Sequence, residues 1–135
     1  MDALGLCVFG YAPRGVIPIE VMVKSLNAIT GWDTDIDELL SAAERGSMVA
    51  RAFNSREGFS IRDDRLPRRL FNVKPDGPGA GEKVFEEKDF NNAVALYYEM
   101  IQCDPDTGRP LPEKLLELDL GWVEELMKGQ APEKV

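Results

Sequence analysis

The chain has 135 residues, of which 44% are hydrophobic, enough for one domain with a real core. Its 24 acidic and 16 basic residues give a formal net charge of −8, and because an acidic surface repels phosphate backbones we expect no nucleic-acid partner. The sequence contains no histidine, which excludes a Ser-His-Asp or Cys-His catalytic system and a histidine-ligated zinc site built from this chain alone.

Targeting signals are not evident at the sequence level. The longest apolar stretch falls far short of the roughly 20 residues of a membrane helix, and the first residues lack the basic and apolar regions of a signal peptide. Two cysteines, Cys7 and Cys103, lie far apart and form no CxxC motif. We therefore expect a cytoplasmic chain with free thiols and no membrane partner.

The first elements in chain order are helical. Residues 1–15 are rich in glycine and read as a short helical turn followed by a loop. A helix is predicted over 18–29, with Pro18 at its first position and Gly31 just after its end. One face of this helix is apolar, formed by Ile19, Met22, Val23, Leu26 and Ile29.

A second helix is predicted over 35–53, with Thr34 as its N-cap and Asp37 completing a box-like start. Its expected apolar stripe consists of Ile36, Leu39, Leu40, Ala43, Ala50 and Phe53. Residues 59–87 contain prolines and glycines without periodicity, and they predict a long loop.

The last third of the chain again predicts helices, over 89–102, 112–118 and 122–128. The expected apolar face of the first of these consists of Phe90, Val94, Tyr97, Tyr98 and Ile101. No segment alternates as a strand does. The sequence therefore predicts a single all-α domain over 1–135, with four or five helices and one long irregular loop at about 59–87.

The motif near the start of the chain is Asp2-Ala3-Leu4-Gly5-Leu6-Cys7. Residue chemistry alone favours a plain interpretation, with Cys7 as a small buried hydrophobe and Asp2 as a solvated acid. Together with four further segments, however, this motif resembles the aldehyde:ferredoxin oxidoreductase family. It corresponds to the family's D-x-x-G-L-C motif.

The four other segments follow in the family's order and cover nearly the whole chain. They are Asn27-Ala28-Ile29-Thr30-Gly31-Trp32-Asp33; Glu44-Arg45 with Arg51-x-Phe53-Asn54-x-Arg56-Glu57-Gly58; Asp63-Asp64-x-Leu66-Pro67-x-Arg69; and Tyr97-Tyr98 with Gly108-x-Pro110-x-x-Glu113-Lys114-Leu115. Each is weak alone, but their common order makes the resemblance specific.

The resemblance implies a role for each residue of the first motif. Asp2 corresponds to an aspartate that contacts the pterin of a tungstopterin cofactor, and Cys7 to a ligand of a neighbouring 4Fe–4S cluster. Gly5 and Leu6 would bring the backbone close to the pterin. A carboxylate can accept hydrogen bonds from pterin N–H groups, and thiolate is the usual iron–sulfur ligand.

The sequence also departs from the family. The other three cluster cysteines, the second pterin motif, and the acid and histidine near the metal are missing. Cys103 is a single thiol late in the chain, and we interpret it as structural. Residues 101–104 stand where the family usually has R-G-W-D. We therefore expect this chain to be the C-terminal domain of a larger enzyme, inactive and without bound cofactor on its own.

The resemblance implies that the parent enzyme oxidises aldehydes to carboxylic acids at a tungsten–pterin centre and passes electrons through the cluster to ferredoxin. The remaining domains or subunit would be the direct partner. Two alternatives stay open: a stand-alone helical binding module without redox chemistry, and an unrelated helical interaction domain. The sequence identifies neither the aldehyde nor whether the metal is tungsten or molybdenum.

Several weaker signals indicate mainly structural roles. Asp33, Asp35 and Asp37 lack the glycine of a calcium loop and favour an acidic helix start. The glycines between 77 and 81 lack the lysine of a phosphate-binding loop.

Arginines 65, 68 and 69 form either a solvated loop or a surface that docks onto the missing domains. Four aromatic residues are expected in the core or at a domain interface, namely Trp32, Trp122, Tyr97 and Tyr98. The apolar residues 3–9 predict self-association.

Overall fold

The computed structural model describes residues 5–11, 17–83 and 85–128. In these ranges the helices, numbered in chain order, are α1 (Val8–Tyr11), α2 (Ile19–Thr30), α3 (Ile36–Arg56), α4 (Glu87–Met100), α5 (Pro112–Glu117) and α6 (Gly121–Met127). The same ranges contain no β-strand, and their one isolated β-bridge pairs Cys103 with Pro110. Five helices are longer than a single turn, so the predicted all-α class is confirmed. None of the helices described has both the length and the apolar character needed to cross a bilayer.

The joint between α2 and α3 is fixed by a backbone turn and one side chain. Gly31 adopts a left-handed φ of 74° and its N–H donates to the Asn27 carbonyl at 2.8 Å, as the sequence predicted for the end of α2. The Asn27 amide then bonds the Thr34 backbone twice, at 2.8 Å to its carbonyl and 3.2 Å from its N–H.

The predicted N-cap of α3 was wrong by one residue. Asp35, and not Thr34, caps the helix, since its Oδ1 accepts from the Glu38 N–H at 2.8 Å. The Asn27 amide holds the Thr34 backbone in the α2–α3 joint, one residue before the cap position. The Asp35 carboxylate also adds a favourable charge at the positive end of the helix.

The core lies where α3 and the end of α4 meet α5 and α6. Its buried members are Met48, Ala52, Tyr98, Cys103, Leu115, Leu118, Leu120, Val123 and Met127. The predicted stripe of α3 was only partly correct: Leu39 is buried, but Leu40 and Phe53 are about half exposed. The helix instead turns Met48 and Ala52, four residues apart, toward the core.

The long connection between α3 and α4 has its own local structure. It contains a 3-10 helix at Arg68–Phe71. A turn beyond it is closed by two backbone bonds of 3.0 Å between Lys74 and the Gly81–Glu82 pair. The Phe71 ring packs against Phe85 and Phe90, with centroids 5.6 and 5.8 Å apart. The connection is therefore anchored to the start of α4.

Candidate functional site

The N-terminal motif lies on the surface in the part that the structure describes. Asp2 lies outside the described residues. Gly5 has a φ of 64°, a left-handed conformation that favours glycine, although a β-carbon there would meet no atom within 4 Å. Leu6 is half-buried, whereas Cys7 is an exposed free thiol immediately before α1. The backbone, and not crowding, therefore accounts for the glycine of this motif.

The two cysteines occupy opposite environments. Cys103 is 2% exposed and belongs to the hydrophobic core. Burial raises the pKa of its thiol; the charge of Arg51 works in the opposite direction and that of Asp104 adds to the rise. A thiol held neutral inside the core fits the structural role expected for Cys103. Cys7 is then the accessible thiol of the chain.

Sequence reasoning missed how the other motif residues meet. The Arg51 guanidinium on α3 bonds Asp64 Oδ2 at 2.7 Å and lies 4.7 Å from the centre of the Tyr98 ring. The Tyr98 hydroxyl donates to the same Asp64 oxygen. Arg51 Nε also donates to the Gly108 carbonyl at 2.8 Å. We call these four residues the arginine node, and each of them comes from one of the quoted motif segments.

A second contact between motif segments joins α3 to α5. Lys114 is 5% exposed, and its ammonium lies 2.9 Å from carboxylate oxygens of both Glu44 and Glu117. The neighbouring Arg45 donates to the Leu118 carbonyl at 2.9 Å. Asn27, from the first of the four segments, bonds Thr34 in the α2–α3 joint. The motifs beyond Cys7 therefore supply structural contacts, and the charged or amide side chain that each of these motifs contains was the available signal for them.

A cleft of about 590 Å³ opens beside the arginine node. Its floor is apolar and aromatic and comes from α4, with Phe90, Ala93, Val94 and Tyr97 lining it. Arg65 and Leu66 also line it. Two carboxylates also line the cleft, and both are engaged: Asp64 by Arg51 and Tyr98, and Asp63 by the Ser60 N–H at 2.9 Å. The cleft therefore offers a binding surface.

A family model described as aldehyde ferredoxin oxidoreductase, domains 2 & 3, matches residues 1–120. The chain belongs to the aldehyde ferredoxin oxidoreductase family. Comparison with curated protein sequences gives no significant match. The resemblance predicted from the five motif segments is thus confirmed at the level of the family. The matched range includes both the N-terminal motif and the arginine node.

The cofactors of aldehyde ferredoxin oxidoreductases can be tested against the residues present. A 4Fe–4S cluster needs four ligands, normally thiolates. Within the described ranges, no three side chains of the histidine, cysteine, aspartate and glutamate types are grouped to hold a metal ion. The chain has two cysteines, one of them buried in the core. Cys7 therefore fits one position of a shared cluster, and the chain alone does not provide the other three.

Proposed function

We propose that this chain is the C-terminal portion of a tungstopterin oxidoreductase that oxidises an aldehyde to a carboxylic acid and passes the electrons through a 4Fe–4S cluster to ferredoxin. The observation that carries the proposal is the family match over residues 1–120, which includes an exposed cysteine in the D-x-x-G-L-C motif. The overall reaction consumes the aldehyde and one water and yields the acid, two protons and two electrons. The bound pterin centre and cluster supply the redox chemistry.

In this proposal different residues of the motif bind the two cofactors. The Asp2 carboxylate would accept hydrogen bonds from pterin N–H groups, and the Cys7 thiolate would be one cluster ligand. The left-handed Gly5 and the half-buried Leu6 lie between them in sequence. Five peptide units span at most about 18 Å. One short segment is therefore able to contact both cofactors and hold them near each other, which electron transfer between them requires.

The isolated chain is inactive in this proposal, because it supplies one cluster ligand of four. The rest of the enzyme, as further domains or as a separate subunit, is then the obligatory partner, and ferredoxin is the electron acceptor. We place this enzyme in the cytoplasm.

The test begins with iron and acid-labile sulfide assays on the chain after anaerobic cluster reconstitution. We expect far less iron than the four atoms per chain of a complete cluster. The chain is then co-expressed with a polypeptide of the same family that carries the other three cluster cysteines. Wild type is compared with Cys7→Ser and with Cys103→Ser as the matched control, by electron paramagnetic resonance and by aldehyde-dependent dye reduction.

The proposal predicts a cluster signal and dye reduction that Cys7→Ser abolishes and Cys103→Ser retains. Stoichiometric iron in the chain alone would contradict it, and so would a Cys7→Ser complex with an unchanged signal. A complex that forms with no cluster in either variant would instead support the alternative of a binding module without redox activity.

A further inference from the structure

Three exposed arginines within residues 65–69 give this chain of net negative charge a basic patch. Arg65, Arg68 and Arg69 are all exposed, and no carboxylate in the described ranges forms an ion pair with any of them. The two acids next to them in sequence are engaged elsewhere. Asp63 accepts from the Ser60 N–H at 2.9 Å, and Asp64 belongs to the arginine node. The patch therefore keeps its positive charge on a chain of net charge −8.

The backbone segment that carries Arg68 and Arg69 is held in a fixed position. Arg68 and Arg69 begin the 3-10 helix, whose first turn closes with a bond of 3.0 Å from the Leu70 N–H to the Pro67 carbonyl. Leu70 and Phe71 of the same turn are half-buried, and the Phe71 ring packs against Phe85 and Phe90. Since the apolar side of the turn is anchored, binding through its arginine side costs little backbone ordering.

The patch continues into the cleft beside α4. Arg65 lines the cleft together with Leu66, Val94 and Tyr97, and Tyr97 is 57% exposed. Arginine and tyrosine are enriched at protein interfaces, where an apolar centre is surrounded by polar and charged groups. The positively charged arginines and the apolar cleft are thus neighbours on one surface.

We propose that this surface, which comprises Arg65, Arg68, Arg69 and the cleft beside α4, is the docking site for an acidic face of the remaining part of the parent enzyme. An apolar side chain of that face enters the cleft. The inference rests on the proposed function. The matching family model covers domains 2 & 3, so that enzymes of the family have at least one further domain. An acidic partner is repelled by most of a chain of charge −8 and is attracted at this patch.

The experiment measures binding of the chain to the recombinant remaining domain of an aldehyde ferredoxin oxidoreductase from the organism that encodes the chain. The test variants are Arg68→Glu with Arg69→Glu for the patch and Tyr97→Ala for the cleft. The control is Lys24→Glu with Lys128→Glu, on α2 and just after α6, which changes the net charge equally, from −8 to −12. Circular dichroism verifies that each variant is folded.

We expect each test variant to weaken binding about tenfold or more, and the control less than threefold. Raising the salt concentration from about 50 to 500 mM should weaken the wild type and leave the charge-reversed variant nearly unchanged. Test variants that bind as wild type does, or a control that loses as much, would overturn the inference while the proposed function stands. A patch that binds acidic ferredoxin and not the remaining domain would overturn the choice of partner. No binding by wild type at all would count against both.

Discussion

Arg51 and Asp64 form an ion pair of 2.7 Å in which the carboxylate oxygen also accepts a hydrogen bond from the Tyr98 hydroxyl. This contact joins the C-terminal part of α3, the loop that follows it and the end of α4. The Arg51 side chain is 22% exposed and that of Asp64 is 40% exposed, so water screens the pair in part. Tyr98 is only 1% exposed, so removing its hydroxyl tests the contribution of this contact to stability better than a mutation of the partly exposed ion pair does.

Tyr98→Phe should lower the free energy of unfolding by about 1–2 kcal/mol, because it removes a hydrogen bond to a charged acceptor and leaves the ring in place. Tyr97→Phe is the matched control, since Tyr97 is more than half exposed, and it should change stability by less than about 0.5 kcal/mol. Urea unfolding of both variants provides the measurement. Equal effects of the two changes would argue against a stabilising role for the node.

Lys114→Met should destabilise the chain by about 1–3 kcal/mol at pH 7, because it removes the cation between Glu44 and Glu117 while nearly keeping the side-chain volume. Burial works to lower the pKa of Lys114, but hydrogen bonds and charges from Glu117 and Glu44 outweigh it, and the pKa is raised. The exposed Lys88 provides the control as Lys88→Met.

The upward shift of the Lys114 pKa determines how its contribution to stability depends on pH. A lysine whose folded pKa is raised contributes stability that is fully present below its unfolded pKa of about 10.4 and is lost as pH rises through the folded pKa. The stability difference between wild type and Lys114→Met should therefore shrink above about pH 10. A difference that stays constant from pH 8 to pH 11 would show that lost packing, and not charge, causes the effect.

Cys7 should react with a thiol reagent about a hundredfold faster than Cys103 at pH 8, because Cys7 is exposed while burial both covers the Cys103 thiol and raises its pKa. Timed alkylation followed by peptide mass spectrometry gives both rates in one sample. In urea the two rates should converge. Equal protection of both thiols in the folded chain would contradict the surface position of the motif.

The chain should self-associate through residues 3–9 when the rest of the enzyme is missing. Residues 3 and 4 lie outside the described residues, but Val8 and Phe9 are 49% and 86% exposed, and exposed apolar patches usually find a partner. Leu6→Glu with Phe9→Glu should give monomers in sedimentation velocity. Leu96→Glu with Met100→Glu, at exposed positions of α4, is the control and should still associate. A wild type that stays monomeric at high concentration would refute the prediction.

Helix positions were largely predictable because local signals set them. Gly31 ends α2 and Pro112 opens α5 as expected, through left-handed φ and fixed φ respectively. Tertiary contacts were less predictable. The choice between Thr34 and Asp35 as N-cap is coupled to Asn27, seven residues before Thr34. The 3-10 turn at Arg68–Phe71 is too short to produce a periodic signal, and its fixed position depends on Phe85 and Phe90.

The candidate site, like the fold, has a part that the sequence predicted and a part that it did not. The family motif singled out Cys7, and its exposure agrees with the role proposed for it. The arginine node could not be predicted from sequence, because its members are separated by up to 57 residues and no local pattern connects them. Ile29, which was expected on the apolar face of α2, is 82% exposed. Trp32 and Trp122, which were expected in the core or at a domain interface, are more than half exposed. Burial at such positions depends on what surrounds the domain, which no pattern within the chain specifies.

Gly108 and Arg51 restrict each other's evolution. At position 108 the φ is +73° and a β-carbon would lie 2.4 Å from Arg51 Nη2. A mutation of the glycine alone therefore strains the turn and displaces the guanidinium, whereas loss of the arginine alone leaves the carbonyl of residue 108 without its donor. The two positions should consequently change together along a lineage, and in relatives that lack the arginine residue 108 should still favour glycine, or asparagine and aspartate, because its φ remains left-handed.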